Sequence, residues 1–215
     1  METPTLDKSA IIIAVDSQGR FSVDKAFLKL NNKPLVCHAV SGIKGLVDEV
    51  IVVAASKELA DAYGKIVSSD VRFVFDEEAS QSSLAAALKG FEVAEGQYSL
   101  VLPFDSPFIS IEVVSLLFEL SAGKSAVVPR WPGLDCEPLH AVYNTGQAAD
   151  AARKALAEGE VDLAAILGYM HGVRYVSTLV IEQLDADFRS FFRVKTPLDL
   201  KKAAVMEKHG KRRQV

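Results

Sequence analysis

A single carboxylate, Asp105, stands in "LPFDSPF", where an apolar run gives way to a Ser-Pro turn. There it suits one ligand of a hydrated Mg2+. That ion takes one or two carboxylates and completes its shell with water and phosphate oxygens. An Asx turn or helix cap accounts for the same aspartate equally well. Two cations, Arg20 and Lys25, lie five residues apart in "DSQGRFSVDK". Arginine forks onto phosphate oxygens and lysine acts as a mobile point charge. Together they can stabilise the charge that builds at a phosphoryl centre. Taken as an isolated pair, they read instead as solvated surface cations, partnered by Asp16 and Asp24. Asp76 ends another apolar run, before Glu77 and Glu78. It can accept hydrogen bonds from a base or a sugar, or serve only to turn the chain.

Other residues point to less. His140, in "EPLHAVY", has Glu137 three residues before it, a spacing open to acid–base chemistry. A hydrogen-bonded structural histidine at the start of a strand is the reading adopted for it, and for His38 and His171. No serine or cysteine sits in a Gly-x-Ser-x-Gly elbow, so a hydrolytic triad has no support. "GIKGL", Gly42–Leu46, falls at a helix end and lacks the strand-turn-helix context of a dinucleotide fingerprint.

The elements that must position these side chains are legible from apolar runs. Ala10–Val15, Asp48–Ala55, Val71–Asp76, Tyr98–Asp105, Ser125–Arg130 and His140–Asn144 read as strands, the first of them apolar throughout, as in a buried parallel sheet. Pro34–Lys44, Lys57–Val67, residues 80–94, Ser110–Leu120 and Pro197–Glu207 follow helical spacing, with serines ahead of the third and fourth as N-caps. Gly168–Val173 and Asp185–Phe192 read as a helix end and a connection. The alternation β-α-β-α-β-α-β-α-β predicts an α/β fold: three layers, an open and mostly parallel sheet with helices on both faces. Ligands of such sheets sit beyond the carboxyl ends of the strands. Loops 15–25, 76–83 and 104–107 fall there, and they hold the polar clusters.

The chain has 215 residues, 49% hydrophobic and 24% charged, enough for one well-packed domain. The expected layout is a flexible N-terminus over 1–9, a single domain over 10–207 and a basic tail over 208–215. A net charge of −4 argues against a nucleic-acid partner. Cys37 and Cys136 have no paired spacing, so neither a disulfide framework nor a zinc site is expected. The polar N-terminus lacks the apolar core of a signal peptide, and no apolar run reaches membrane-spanning length. A cytoplasmic protein with no membrane partner, monomeric or weakly self-associating, is the expectation.

Several of these segments, in this order, resemble the molybdenum cofactor guanylyltransferases, within the wider Rossmann-like nucleotidyltransferases. The family opens with Leu-Ala-Gly-Gly-x-Ser-x-Arg-x-Gly-x-Asp-Lys. Here "IAVDSQGRFSVDK" keeps Ala14, Arg20, Asp24 and Lys25, with Val15 and Asp16 at the two early glycines, Gln18 at the serine and Ser22 at the later glycine. "NNKPLVCHAV" is similar to the Gly-x-Pro-Leu-Leu helix start, with Asn32 at the glycine. "DEEASQSSL" keeps Asp76 and Leu84 of Asp-x-x-Pro-Gly-x-Gly-Pro-Leu, with Ser82 and Ser83 at the last glycine and proline. "LPFDSPFI" is similar to the metal-aspartate segment Leu-Pro-Cys-Asp-x-Pro-Phe. "EPLHAVY" resembles Gln-Pro-Leu-x-Ala-x-Tyr. "FFRVKTPLDLKKA" resembles a closing Phe-x-Asn-x-Asn-Thr-Pro segment, with Arg193 and Lys195 at the asparagines.

The resemblance implies a nucleoside triphosphate, GTP foremost, bound with Mg2+. GMP passes to the phosphate of a molybdopterin-type acceptor and pyrophosphate leaves. It assigns Arg20 and Lys25 to the triphosphate, Ile13, Ala14, Val15 and Asp76 to the nucleotide, and Asp105 to the metal. The altered glycines bear on this. Val15 resists positive φ, and Asp16 adds a negative charge beside phosphates unless it binds the metal or turns away. Two readings follow: a nucleotidyltransferase of changed detail, or a non-catalytic homologue that binds a nucleotide, cofactor or partner protein. On the first, Asp105→Ala is expected to abolish pyrophosphate release with little change in melting temperature.

Overall fold

The strand β1 (Lys8–Ala14) lies at the centre of the sheet, between two parallel neighbours, β4 (Glu49–Ala54) and β6 (Tyr98–Pro103). Ala10, Ile12 and Ala14 face one core, and Ile11 and Ile13 the other. A strand covered on both faces has no solvent side for polar residues, hence the unbroken apolar run. The computed structural model describes residues 7–15, 25–67, 70–75, 82–133 and 135–213.

After β1 the chain forms a small hairpin, β2 (Lys29–Leu30) and β3 (Lys33–Pro34). Its turn residues Asn31 and Asn32 have φ of 49° and 66°. Asparagine tolerates this left-handed region better than other non-glycine residues, so Asn32 can do a glycine's work at the turn. Then follow α1 (Leu35–Ile43), β4, α2 (Lys57–Gly64), β5 (Val71–Phe75), α3 (Ser83–Val93), β6, α4 (Ile111–Glu119) and β7 (Ala126–Arg130). The chain continues through β8 (Ala141–Asn144), α5 (Thr145–Ala157), β9 (Val173–Ser177), α6 (Thr178–Ile181) and α7 (Pro197–Arg213). The seven-stranded sheet has the order β5-β4-β1-β6-β8-β7-β9. All its pairings are parallel except those of β8, which runs antiparallel to β6 and β7. Helices α1, α2, α4 and α7 cover one face, and α3 and α5 the other.

From β1 the strand order grows outward through β4 to β5, then returns across to β6 on the other side of β1. The crevice between the carboxyl ends of β1 and β6 is therefore the topological switch point, where open α/β sheets bind ligands. Its register is closed: Ile13 sits opposite Pro103, and Phe104 N–H donates to the Ile13 carbonyl at 3.2 Å.

Four differences from expectation have physical reasons. The β6 ladder ends at Pro103, so Asp105 lies on the loop rather than the strand. Helix α5 was not among the expected elements: its buried face is built mainly from alanines 148, 149, 151, 152 and 155, so it carries none of the large apolar residues that mark a core helix. Strand β9 begins at Val173, where a helix end was expected to close, and runs through residues given no element; as an edge strand it buries only Val176, and so lacks the apolar alternation of a strand. Helix α7 runs on to Arg213, past Glu207 and into the basic stretch read as a tail.

Candidate active site

The loop after β6 carries Phe104, Asp105 and Ser106, all buried. Asp105 is fully buried, a costly place for a carboxylate unless it is paired. It has two cationic partners. Lys25, in the 3-10 turn Lys25–Phe27 beyond the β1 loop, places Nζ 3.1 Å from Oδ2. Arg193 donates from Nε to Oδ1 at 2.7 Å and from Nη2 to Oδ2 at 3.3 Å, the two-pronged geometry of a guanidinium on a carboxylate. Lys25 Nζ also lies 5.3 Å from the centre of the Phe104 ring. Among the described residues, two cations meet this one carboxylate, and cationic groups of this kind suit phosphate oxygens.

Arg193 arrives on a closely held segment. Val194 N–H donates to the Asp105 carbonyl at 2.9 Å, tying the two backbones together beside the paired side chains. Upstream, Ser190 N–H donates to Asp185 Oδ2 at 2.7 Å, and Ser190 Oγ accepts from Ser110 N–H at 3.2 Å. Downstream, Thr196 and Asp199 cap the start of α7 reciprocally, Thr196 N–H to Asp199 Oδ2 at 2.9 Å and Asp199 N–H to Thr196 Oγ1 at 3.2 Å.

His140 closes the site from below. It is buried on the 3-10 turn Pro138–His140, with Nε2 3.1 Å from Ser106 Oγ. Burial, reinforced by the positive Arg193, pushes its pKa down to about 3, against the opposing pull of Asp105 and the nearby Ser190 backbone. The imidazole is neutral at physiological pH. Glu137 does not pair with it in earnest: its Oε2 is 4.0 Å from His140 Nδ1, while Oε1 accepts from Trp131 Nε1 at 2.7 Å. The structural reading of His140 holds. So does that of His38, whose Nε2 lies 3.0 Å from the Leu30 carbonyl. His171 differs, being exposed on the turn into β9.

Of the expected site residues, Lys25 and Asp105 converge. Ile13 and Ala14 end β1 with their side chains in the two cores, so only their backbone faces the crevice. Val15 follows, half-buried against the core on the α3 side, and is not among the positive-φ residues. Arg20 and Asp76, with Asp16 and Asp24, lie outside the described residues. Ser82 and Ser83 have structural work: Ser82 Oγ caps α3 at Ala85 N–H (3.0 Å) and donates to the Val161 carbonyl (2.9 Å), while Ser83 Oγ accepts from Leu163 N–H (3.1 Å). Arg193 was missed as a site residue. Its trace in the sequence was a cation where the resemblance has a neutral amide.

Mg2+ is the ion the resemblance implies for Asp105. The donor set among the described residues does not fit it. Both carboxylate oxygens already accept from cationic nitrogens. Among the described residues no group of three His, Cys, Asp or Glu side chains converges to hold a metal.

An open, doubly wound sheet with the Lys25–Asp105–Arg193 cluster at its switch point has the architecture of the nucleotide-handling α/β domains. The family model described as "MobA-like NTP transferase domain" matches residues 10–173. A probable molybdenum cofactor guanylyltransferase of Methanosarcina mazei is 30% identical over 198 residues, covering 90% of this chain and 88% of its own. The crystal structure of molybdopterin-guanine dinucleotide biosynthesis protein A from Archaeoglobus fulgidus superposes with a TM-score of 0.78 at 22% identity, over 94% of this chain and 99% of the other. That of 4-diphosphocytidyl-2C-methyl-D-erythritol synthase from Anaerococcus prevotii does so with a TM-score of 0.72 at 15% identity, over 94% and 96%. The chain belongs to the MobA-like NTP transferase family, and its fold is that of Rossmann-like nucleotidyltransferases. Among the described residues no helix is long and apolar enough to cross a membrane.

Proposed function

We propose that this protein is a nucleotidyltransferase that moves GMP from GTP to the phosphate of a molybdopterin-type acceptor. The observation that carries the reading is the meeting of Lys25 and Asp105 at the switch point between β1 and β6. The relatives' names supply the nucleotide and the acceptor.

An oxygen of the acceptor phosphate attacks the α-phosphorus of GTP. A new P–O bond forms, the bond from the α-phosphorus to the bridging oxygen breaks, and pyrophosphate takes the electron pair. No covalent intermediate with the protein is needed. The chain's contribution is position and charge. Lys25, held in place by Asp105, meets the negative charge gathering on the leaving phosphates, and Arg20 shares that load. Ile13, Ala14 and Val15 present backbone to the nucleotide, and Asp76 accepts from the nucleoside. Mg2+, expected from the resemblance, would supply further charge neutralisation as the nucleotide's own counter-ion; Asp105 is committed to nitrogen donors.

The test is pyrophosphate release with GTP, CTP or ATP, Mg2+ and molybdopterin. GTP should support turnover, and Lys25→Ala should lower kcat about 100-fold or more, the scale for losing one preorganised charge stabiliser. If no triphosphate yields pyrophosphate, the reading is overturned. The full commitment of Asp105 to cations favours the second reading, a homologue that binds nucleotide without turning it over; calorimetric GTP binding without pyrophosphate release would establish it.

A further inference from the structure

The misfit of a metal at Asp105 has a positive counterpart. We propose that Arg193 is the resident cation of this site: its guanidinium, forked onto Asp105, holds the place a divalent ion would need, and presents the charge that a phosphate group meets there. The proposal rests on reading the rim as a nucleotide site, and it deepens that reading.

Geometry supports it first. Arg193 Nε at 2.7 Å and Nη2 at 3.3 Å span both oxygens of the carboxylate, and Lys25 Nζ takes a second contact on Oδ2 at 3.1 Å. A magnesium ion needs oxygen donors near 2.0–2.1 Å in an octahedral shell. Entry would require the guanidinium to leave and would bring a dication beside Lys25. The backbone supports it second. Arg193 is delivered by the Val194–Asp105 backbone bond, with Ser190 tied down upstream and the α7 cap downstream. The fold thus fixes the backbone from which the guanidinium reaches Asp105. Exposure supports it third. The Asp105 side chain is fully buried, whereas that of Arg193 is 29% exposed. The guanidinium can therefore keep its carboxylate and still reach a phosphate oxygen, the bridging role its planar fork suits. The neighbouring His140 is neutral and engaged with Ser106, so it adds no competing charge.

The experiment measures Mn2+ binding to the full chain without nucleotide, by electron paramagnetic resonance of the free ion. It compares the wild type with Arg193→Asn, Arg193→Lys and the double variant Arg193→Asn with Asp105→Asn. Arg193→Asn should bind one Mn2+ at least tenfold more tightly than the wild type. Arg193→Lys, which keeps the charge, should not, and the double variant should lose the gain. A companion arm uses inorganic triphosphate in EDTA, where Arg193→Asn should weaken binding about tenfold. Wild-type Mn2+ affinity already equal to that of Arg193→Asn would overturn the assignment, as would a folded Arg193→Asn that gains no Mn2+ affinity. The Mn2+ arm uses no nucleotide. A chain that passes it but turns over no triphosphate loses the transferase reading and keeps Arg193 as the site's cation.

Discussion

Asp105 shows why residue type and position are not enough to assign a role. As a lone carboxylate at a strand end it suits a metal; as a fully buried carboxylate with two cations on it, it is also a structural keystone. That changes the expected behaviour of Asp105→Ala. Little change in melting temperature was expected from the sequence. With Lys25 buried beside it, removing the carboxylate breaks a buried ion pair, which costs up to about 3–5 kcal/mol. Chemical denaturation should read that loss, and Asp105→Ala combined with Arg193→Ala should recover part of it. An unchanged midpoint for Asp105→Ala would mean that the cations relax into solvent and that the pairing carries no stability. The serines of the second loop teach the same lesson. Departures from a glycine-proline pattern read as damage to a ligand site, yet Ser82 and Ser83 stitch α3 to the 161–163 segment.

At the scale of elements, α3 is placed by what it lacks. Gly90 sits on the face of α3 against β1, and a Cβ there would lie 2.3 Å from Ile11 Cγ2. Helix propensity alone predicts that Gly90→Ala stabilises by up to about 1 kcal/mol. The contact reverses the sign: α3 must lift from the sheet, at about 1–3 kcal/mol. Thermal melts of Gly90→Ala check this, and a raised midpoint would contradict the close packing. The lifting would also move Ser82, which caps α3 at Ala85 N–H. Element boundaries follow a similar logic. Continuous apolar runs marked β1, β4 and β6 because both faces are covered, whereas α5 buries alanines rather than large apolar side chains and the edge strand β9 buries a single residue.

At the scale of the whole molecule, three distant segments meet at His140: the loop after β6, the turn Pro138–His140, and the connection ending in Arg193. The histidine is buried neutral, with its folded pKa depressed to about 3 from 6.5. Below pH 6.5 the unfolded chain takes up a proton that the folded chain refuses. The stability linked to this group is fully present above about pH 6.5 and is lost as the pH falls towards 3, at about 1.4 kcal/mol per pH unit. Denaturant titrations between pH 4 and 7 should show that slope, and His140→Gln should flatten it. Equal slopes in the two proteins would show that His140 is protonated in the fold.

Much of this architecture was written in local patterns. Apolar runs with turn residues between them specify strands, helices and their alternation, because burial on a sheet imposes its period on the chain locally. They also specify that polar loops cluster at the strands' carboxyl ends, and the motif order was enough to identify the family. Lys25 and Asp105 were legible for that reason. What local patterns do not carry is which charges meet. Arg193 lies 88 residues from Asp105, and the antiparallel β8, the edge strand β9 and the pairing of Val194 with Asp105 are long-range events. Charge pairing is decided by distances of a few ångströms that only the closed fold creates. The same aspartate can read as a metal ligand or as the anchor of two cations, and only the tertiary structure brings those two cations to it.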